Sequence, residues 1–434
     1  MGCYLGVDLG STTTKAIILN EEQEVIGRGL TNTRSNYSVA CEVAQKEAET
    51  NAKFSFLEKS LKKYPDLNNI ADTIFGKIEL NFRYEQHLFK LNRLKELCLN
   101  YLLNNSFAGE RGDLEWVLRE IFTEMEKEAY TIYQEMGQDR SRFFRDIVGS
   151  KYMALVEKNS VKYKVDFESL MSLYDKSIIH VENQVIEIDF YENMKRAADR
   201  TVKNHPESDA IKESLIKAIN EVIDGKLEIV SMVGTGYGRQ QLPFPKKNIR
   251  SEILCHGLGA HYMFPDTRTV LDIGGQDTKG IQVDKDGIVT NFQMNDRCAA
   301  GCGRYLGYIA EELSIGLHQL GPLSLKATKV VKVSSTCTVF AGAELRDMLS
   351  LGEKRENVLA GLHRSIILRV MSILARSGGV KNEFTFTGGV AKNQAVVNAL
   401  REITFENYGE LTINISSDSI YTGAVGAALF AKRG

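Results

Sequence analysis

An eight-residue phrase occurs twice in this chain, and no other feature constrains the fold as tightly. Asp8-Leu9-Gly10-Ser11-Thr12-Thr13-Thr14-Lys15 stands near the start, and Asp272-Ile273-Gly274-Gly275-Gln276-Asp277-Thr278-Lys279 stands much later. Both read D-[LI]-G-[SG]-x-x-T-K, both follow a short apolar run, and both precede an apolar segment, a polar turn and another apolar segment. The spacing predicts a strand, a tight turn and two further strands, written twice. Turns rich in Gly, Ser and Thr let backbone N–H groups and hydroxyls converge on a phosphate. A leading aspartate sits where it can hold magnesium or its water shell. A single copy of such a turn is commonly only a turn; two copies in one strand context predict hairpins that grip the phosphates of a nucleotide from both sides.

At 434 residues, with 43% apolar and 25% charged residues, the chain has ample core material for about two to four domains. Its formal net charge of −2 gives no sign of a nucleic-acid or anionic-membrane partner. The chain runs from Met1 directly into the first predicted strand, without a signal peptide or an uncharged apolar run of about 18 residues, so a cytoplasmic location is expected. Seven cysteines in such a chain point to thiols, metal ligands or redox centres rather than disulfides.

Composition then divides the sequence. Between Ser38 and Gly225 there are only six of the 36 glycines, and charge is dense. The apolar positions Leu114, Val117, Leu118, Ile121, Phe122, Met125 and Ala129 mark one face of a long helix. Alternation in Val161/Tyr163/Val165/Phe167 and in Val181/Val185/Ile186/Ile188 predicts one or two strands nearby. The reading is a mainly helical insertion over 38–226, flanked by a first half (1–37 plus 227–267) and a second half (268–434). Gly234-Thr235-Gly236-Tyr237-Gly238 has the wrong spacing for a dinucleotide fingerprint, and Pro243 and Pro245 follow where a helix would be needed, so a tight loop is expected.

Two later stretches place a cysteine among small residues at a predicted helix start. One is Asn295 to Tyr305 with Cys298 and Cys302; the other is a strand at Val330–Val333 followed by Ser334 to Phe340 with Cys337. Exposed N–H groups and the positive dipole end there favour a thiolate or an anionic cluster. A cubane iron–sulfur cluster wants four thiolates, and there is no C-x-x-C run, so two ligands from each of two subunits is the arrangement these positions suggest. His256 and His261 read as packing or capping residues. A strand over Glu383–Thr387 ends in Gly388-Gly389-Val390-Ala391-Lys392, where bare backbone and a following helix suit an adenosine or phosphate edge.

With these motifs in place, the chain resembles the actin/Hsp70/sugar-kinase ATPases, an α/β, ribonuclease H-like fold of two duplicated halves. Within them, V-G-T-G-Y-G-R at Val233–Arg239, L-D-I-G-G-Q-D-T-K at Leu271–Lys279, N-D-R-C-A-A-G at Asn295–Gly301 and S-S-T-C-T-V-F-A at Ser334–Ala341 are similar to the BadF/BadG/BcrA/BcrD group. The resemblance covers 1–37 and about 227–434. It implies ATP and Mg²⁺ bound by Gly10, Ser11, Thr12, Thr13, Lys15, Gly274, Gly275, Gly388, Gly389 and Lys392, with Asp8 and Asp272 around the metal and Gln276 or Asp277 orienting the attacking water. It implies a [4Fe–4S] cluster shared across a dimer through Cys298 and Cys337. Cys302 stands where the dehydratase activators of the group are expected to carry Thr. The insertion also departs from those compact homodimers, and this length is more similar to the larger ATPase subunit of benzoyl-CoA reductase. That branch implies a shorter homologous partner subunit, acyl-CoA-binding reductase subunits and ferredoxin as electron donor. Activation of a 2-hydroxyacyl-CoA dehydratase is the alternative; a small-molecule kinase or an assembly ATPase of the same superfamily would not need the paired cysteines.

Overall fold

The computed structural model describes residues 2–33, 36–105, 111–135, 143–182, 189–203, 209–295, 301–333 and 338–434. It separates into two compact units, one formed by residues 1–45 with 228–434 and the other by 46–227.

The chain opens with β1 (Gly2–Leu9), β2 (Thr13–Leu19) and β3 (Val25–Asn32). They form an antiparallel meander in which Asp8 lies opposite Lys15. Opposed residues project to one face of the sheet, so the first and last residues of the eight-residue phrase are neighbours. Helix α1 (Tyr37–Leu61) then leads into the second unit.

That unit is a helical bundle: α2 (Ala71–Asn104), α3 (Arg111–Glu135), α4 (Phe144–Tyr163), α5 (Phe167–Glu182), α6 (Phe190–Lys203) and α7 (Asp209–Asp224). Its 34-residue α2 is about 50 Å long, enough to serve two cores. Ile74, Ile78 and Phe82 pack with Phe54 and Leu57 of α1, Met194 of α6 and Ile219 of α7. Leu91, Leu94 and Cys98 pack with Ile121 of α3, Tyr152 of α4 and Leu173 of α5. The strands expected over Val161–Phe167 are not there. Helix α4 continues to Tyr163, Lys164 takes a left-handed conformation with its amide donating to Ser160 O, and α5 begins at Phe167. The apparent alternation straddles a helix boundary, and Val161 is 79% exposed, so the pattern never described a half-buried strand. Val181 lies within α5, and 183–188 lie outside the described residues.

The first sheet resumes with β4 (Glu228–Thr235), parallel to β1, giving the order β3-β2-β1-β4. Helix α8 (Glu252–Met263) leads to β5 (Thr269–Ile273), β6 (Thr278–Val283) and β7 (Val289–Asn295). This second meander repeats the first, with Asp272 opposite Lys279. Beyond it come α9 (Gly303–Glu312), α10 (Leu320–Ser324), α11 (Thr338–Ser350) and α12 (Arg355–Arg376). Then β8 (Phe384–Thr387), α13 (Gln394–Tyr408), β9 (Ile413–Asn414) and α14 (Thr422–Arg433) close the chain. The second sheet runs β7-β6-β5-β8-β9, with β8 parallel to β5.

Val330–Val333, expected as a strand, has none. Asn357 of α12 takes its neighbours' amides instead, its side-chain oxygen accepting from Thr328 N and its carbonyl from Val331 N. Helix α12 is long and apolar enough to cross a membrane by composition, but 61% of that window is buried, with Ile366, Ile367, Val370 and Leu374 in the core against β5, β8 and α13. Helix α14 packs against α8 and β1 through Ala424, Val425 and Ala428.

Candidate active site

The two glycine turns face one another. A Cβ built on Gly275 would overlap the Thr12 hydroxyl, so only glycine lets the second turn approach the first this closely. Asp8 and Asp272 end their strands at these turns, 3% and 2% exposed. Asp8 Oδ1 is buried with no hydrogen-bond partner, while its Oδ2 lies 3.6 Å from Lys15 Nζ.

The two lysines of the repeated phrase have different surroundings. Lys279, 1% exposed, holds its ammonium 2.8 Å from Asp277 Oδ1, 2.9 Å from Glu252 Oε1 and 3.2 Å from Asp272 Oδ2. Burial opposes its charge, but the three carboxylates prevail and hold its pKa well above the ordinary value. Lys15 has the single longer contact to Asp8 and a side chain that is 15% exposed. One lysine is locked as a counter-ion; the other retains donors that a phosphate can take.

Helix α8 adds two groups that sequence reasoning missed. Glu252 and His256, one turn apart, both face this cluster. His256 Nδ1 stands 3.4 Å from Asp272 Oδ1, an ion-pair distance without hydrogen-bond alignment. Its Nε2 lies 3.9 Å from Glu252 Oε1 and shares with Asp8 Oδ2 the space beside Gly423, where a built Cβ would meet them at 2.7 and 3.0 Å. Thr387 of β8 donates to Asp272 Oδ1 at 3.0 Å. Burial alone would raise the pKa of Asp272, yet His256 and Lys279 keep it far below the usual carboxylate range. Glu252 goes the other way, raised chiefly by burial. His256, read from sequence as packing or capping, instead stands at ion-pair distance from Asp272, which draws its pKa upward against burial. The available signal was the carboxylate and imidazole spaced four apart in Ser251-Glu252-Ile253-Leu254-Cys255-His256.

A pH dependence follows. Burial lowers the pKa of His256, and attraction to Asp272 outweighs it, so the net shift is upward. The stability it contributes is present in full below the unfolded value of about 6.5 and is lost as pH rises through the raised folded value. Urea midpoints of the nucleotide-free protein should therefore fall across this range in the wild type, and His256→Gln should flatten that decline.

The remaining expected residues are distributed as follows. Gly10, Ser11, Thr12 and Thr13 form the first turn into β2, and Gly274, Gly275 and Gln276 the second, with Gln276 half-buried. Asp277, one of two residues expected to orient water, is held by Lys279. Gly388 (φ +88°) turns the chain away from β8 where a Cβ would strike the Ile273 carbonyl; Gly389 faces open space and Lys392 is exposed. Cys298 and Cys337 lie outside the described residues. Cys302 is 1% exposed at the start of α9, whose first amides, Gly303 N and Arg304 N, donate to Gly274 O and Gly275 O at 2.8 and 2.7 Å. Thr278 Oγ1 donates to Gly301 O at 2.7 Å. The second glycine-turn hairpin and the start of the helix that follows the cysteine segment are thus joined by three hydrogen bonds.

The unpartnered Asp8 oxygen and an excess of carboxyls over ammonium groups fit a cation. Asp8 and Asp272 are the carboxylates that would hold magnesium, with water and phosphate oxygens completing its shell.

The sequence model of the BadF/BadG/BcrA/BcrD ATPase family matches residues 5–431. The chain belongs to that family. Among its relatives, this BadF/BadG/BcrA/BcrD ATPase is 42% identical over 223 residues to the (R)-2-hydroxyglutaryl-CoA dehydratase activating ATPase of Acidaminococcus fermentans, covering 50% of this chain and 82% of the relative. It is 34% identical over 205 residues to a benzoyl-CoA reductase subunit of Thauera aromatica, covering 47% and 72%. The solved activator of the 2-hydroxyisocaproyl-CoA dehydratase from Clostridium difficile, with bound ADPNP, superposes with a TM-score of 0.53 at 22% identity, covering 99% of this chain and 94% of that one. The fold is that of the actin/Hsp70/sugar-kinase ATPases, as the repeated meander predicts.

Proposed function

We propose that this chain is the ATP-hydrolysing activator of a 2-hydroxyacyl-CoA dehydratase, delivering an electron to that partner at the expense of ATP. The pair of facing glycine turns, with Asp8 and Asp272 behind them, carries the ATPase part of the reading. The choice of partner rests on the dehydratase-activating relative, at 42% identity against 34% for the benzoyl-CoA reductase relative. Chain length favours benzoyl-CoA reductase, and that partner stays as the second reading because the helical unit 46–227 sets this chain apart from a compact activator.

In the reaction, water attacks the γ-phosphorus of ATP and the bond to the β-γ bridging oxygen breaks, giving ADP and phosphate. The backbone N–H groups of the first turn, Gly10–Thr13, and those of Gly275 and Gln276 in the second hold the phosphates, while Gly274 N closes its own turn onto Asp277 O; Lys15 supplies a cation to the phosphates. Asp8 and Asp272 would hold magnesium or its water shell, while His256 and Lys279 keep Asp272 ionised and Thr387 orients it. Gln276 is the residue of the second turn left to position the attacking water. The family resemblance assigns Cys298 and Cys337 to a [4Fe–4S] cluster shared by two subunits, which would supply one-electron transfer from a ferredoxin-type donor. In this reading the halves 1–37 plus 227–267 and 268–434 close on the nucleotide, and the protein works in the cytoplasm.

The test is anaerobic purification followed by iron, sulfide and EPR analysis with and without MgATP, and an assay with purified dehydratase and a 2-hydroxyacyl-CoA. About four iron per dimer, lost in Cys298→Ala and Cys337→Ala, with ATP-dependent dehydration, is the expected result. Activation of benzoyl-CoA reduction instead would move the assignment to the second reading. An iron-free protein that still hydrolyses ATP would overturn the redox role.

A further inference from the structure

One buried histidine takes no part in the site described so far. His363 of α12 is 1% exposed, and its two ring nitrogens contact two different elements. Nδ1 lies 2.9 Å from Ser324 Oγ at the end of α10, and Nε2 lies 3.2 Å from Asn393 Nδ2. The direction of these bonds follows from Asn393, the N-cap of α13. Its Oδ1 accepts from Ala395 N at 3.0 Å and Val396 N at 3.4 Å. Its amide nitrogen is therefore the group facing His363, and it donates to Nε2. The imidazole proton then sits on Nδ1 and donates to Ser324. Burial pushes His363 down to about 4, which agrees with a neutral ring in a single tautomer at pH 7.

Asn393 also ends the Gly388–Lys392 turn. Its backbone amide donates to Val390 O at 3.0 Å, closing the short helical turn Gly389–Lys392. At the other end, Gly388 N donates to Ser419 O at 3.3 Å. Between these anchors Gly389 presents bare backbone with no atom within 4 Å of where a Cβ would stand. The turn lies at the carboxyl end of β8, beside β5, whose own carboxyl end carries the second phosphate turn. Ligands in α/β sheets bind outside such strand ends. A flat ring laid over Gly389 would thus be next to phosphates held at Gly274–Gln276.

We propose that the Ser324–His363–Asn393 relay sets the Gly388–Lys392 turn as the receiver of the nucleoside end of ATP, making His363 a positioning residue for nucleotide binding. It rests on the ATPase reading given above. The relay fixes the turn before ligand arrives, so the ordering cost is not met at binding. It touches none of the groups at the phosphates, so its loss should raise KM and leave kcat in place.

The experiment measures steady-state ATP hydrolysis by the full-length protein and three variants, with melting temperatures alongside. His363→Leu should raise KM for ATP about ten-fold with kcat within about two-fold. His363→Gln, whose amide oxygen and nitrogen can replace the two ring nitrogens, should stay near the wild type in both. Asn393→Ser retains an N-cap oxygen but is too short to reach His363; it should reproduce the KM rise, and it carries the test if His363→Leu does not fold. A KM unchanged in Asn393→Ser, or a fall in kcat without a change in KM, would overturn the positioning role. A wild type without ATPase activity would instead remove the underlying reading.

Discussion

Asp8→Asn should lose ATP hydrolysis by on the order of 100-fold or more and melt at the same temperature as the wild type, or higher, in nucleotide-free buffer with chelator. The two halves of this result have one cause. Asp8 is buried, one of its oxygens has no partner, and its ion-pair contact, to Lys15, is long at 3.6 Å. It also adds to the negative field that raises Glu252. A buried carboxylate with one oxygen unsatisfied and only a long ion-pair contact costs stability unless a cation arrives. Replacing it by an amide of the same shape removes the repulsion and, with it, the charge that attracts magnesium. Active sites commonly trade stability for function in this way. A variant that melts several degrees lower while keeping its activity would show that Asp8 has a structural role instead.

Lys279→Met should be among the most damaging substitutions in the ATPase unit, costing about 3–5 kcal/mol or preventing folding at neutral pH. The ammonium group is 1% exposed and neutralises Asp272, Asp277 and Glu252 together. Without it, three carboxylates remain in a site from which water is largely excluded, and removal of one partner from a buried ion network is far costlier than the net contribution of the network. The paired comparison is Lys15→Met, which should cost less than Lys279→Met, because it removes one long 3.6 Å contact where Lys279 makes three shorter ones, while weakening ATP binding. Adding Glu252→Gln to Lys279→Met should recover part of the loss, because contacting charges couple. Urea unfolding of the four proteins checks this. Equal losses at Lys15 and Lys279 would refute the division of roles between the two hairpins.

That division separates what the sequence makes legible from what it hides. The repeated phrase, its period-two flanks and its glycines predict both meanders, because a tight turn between short apolar runs is a local requirement met by local residues. The helical insertion is legible for a similar reason, as the α3 apolar face shows. The same local reasoning failed at Val161–Phe167, where two helix ends and a left-handed Lys164 imitate a strand, and at Val330–Val333, where Asn357 from a distant helix takes the amides. It also gave Lys279 no role and read His256 as packing or capping.

The sequence by itself therefore determined the duplicated strand-turn-strand units with their glycine turns, and the family. Only the tertiary structure showed that Lys279 is a buried counter-ion to three carboxylates, and that α8 brings Glu252 and His256 against Asp272. Hairpin geometry is set by residues within one strand-turn-strand segment, whereas the charge state and role of a buried group depend on every element that closes around it. Here those elements come from positions as far apart as Asp8, Glu252, Thr387 and Gly423.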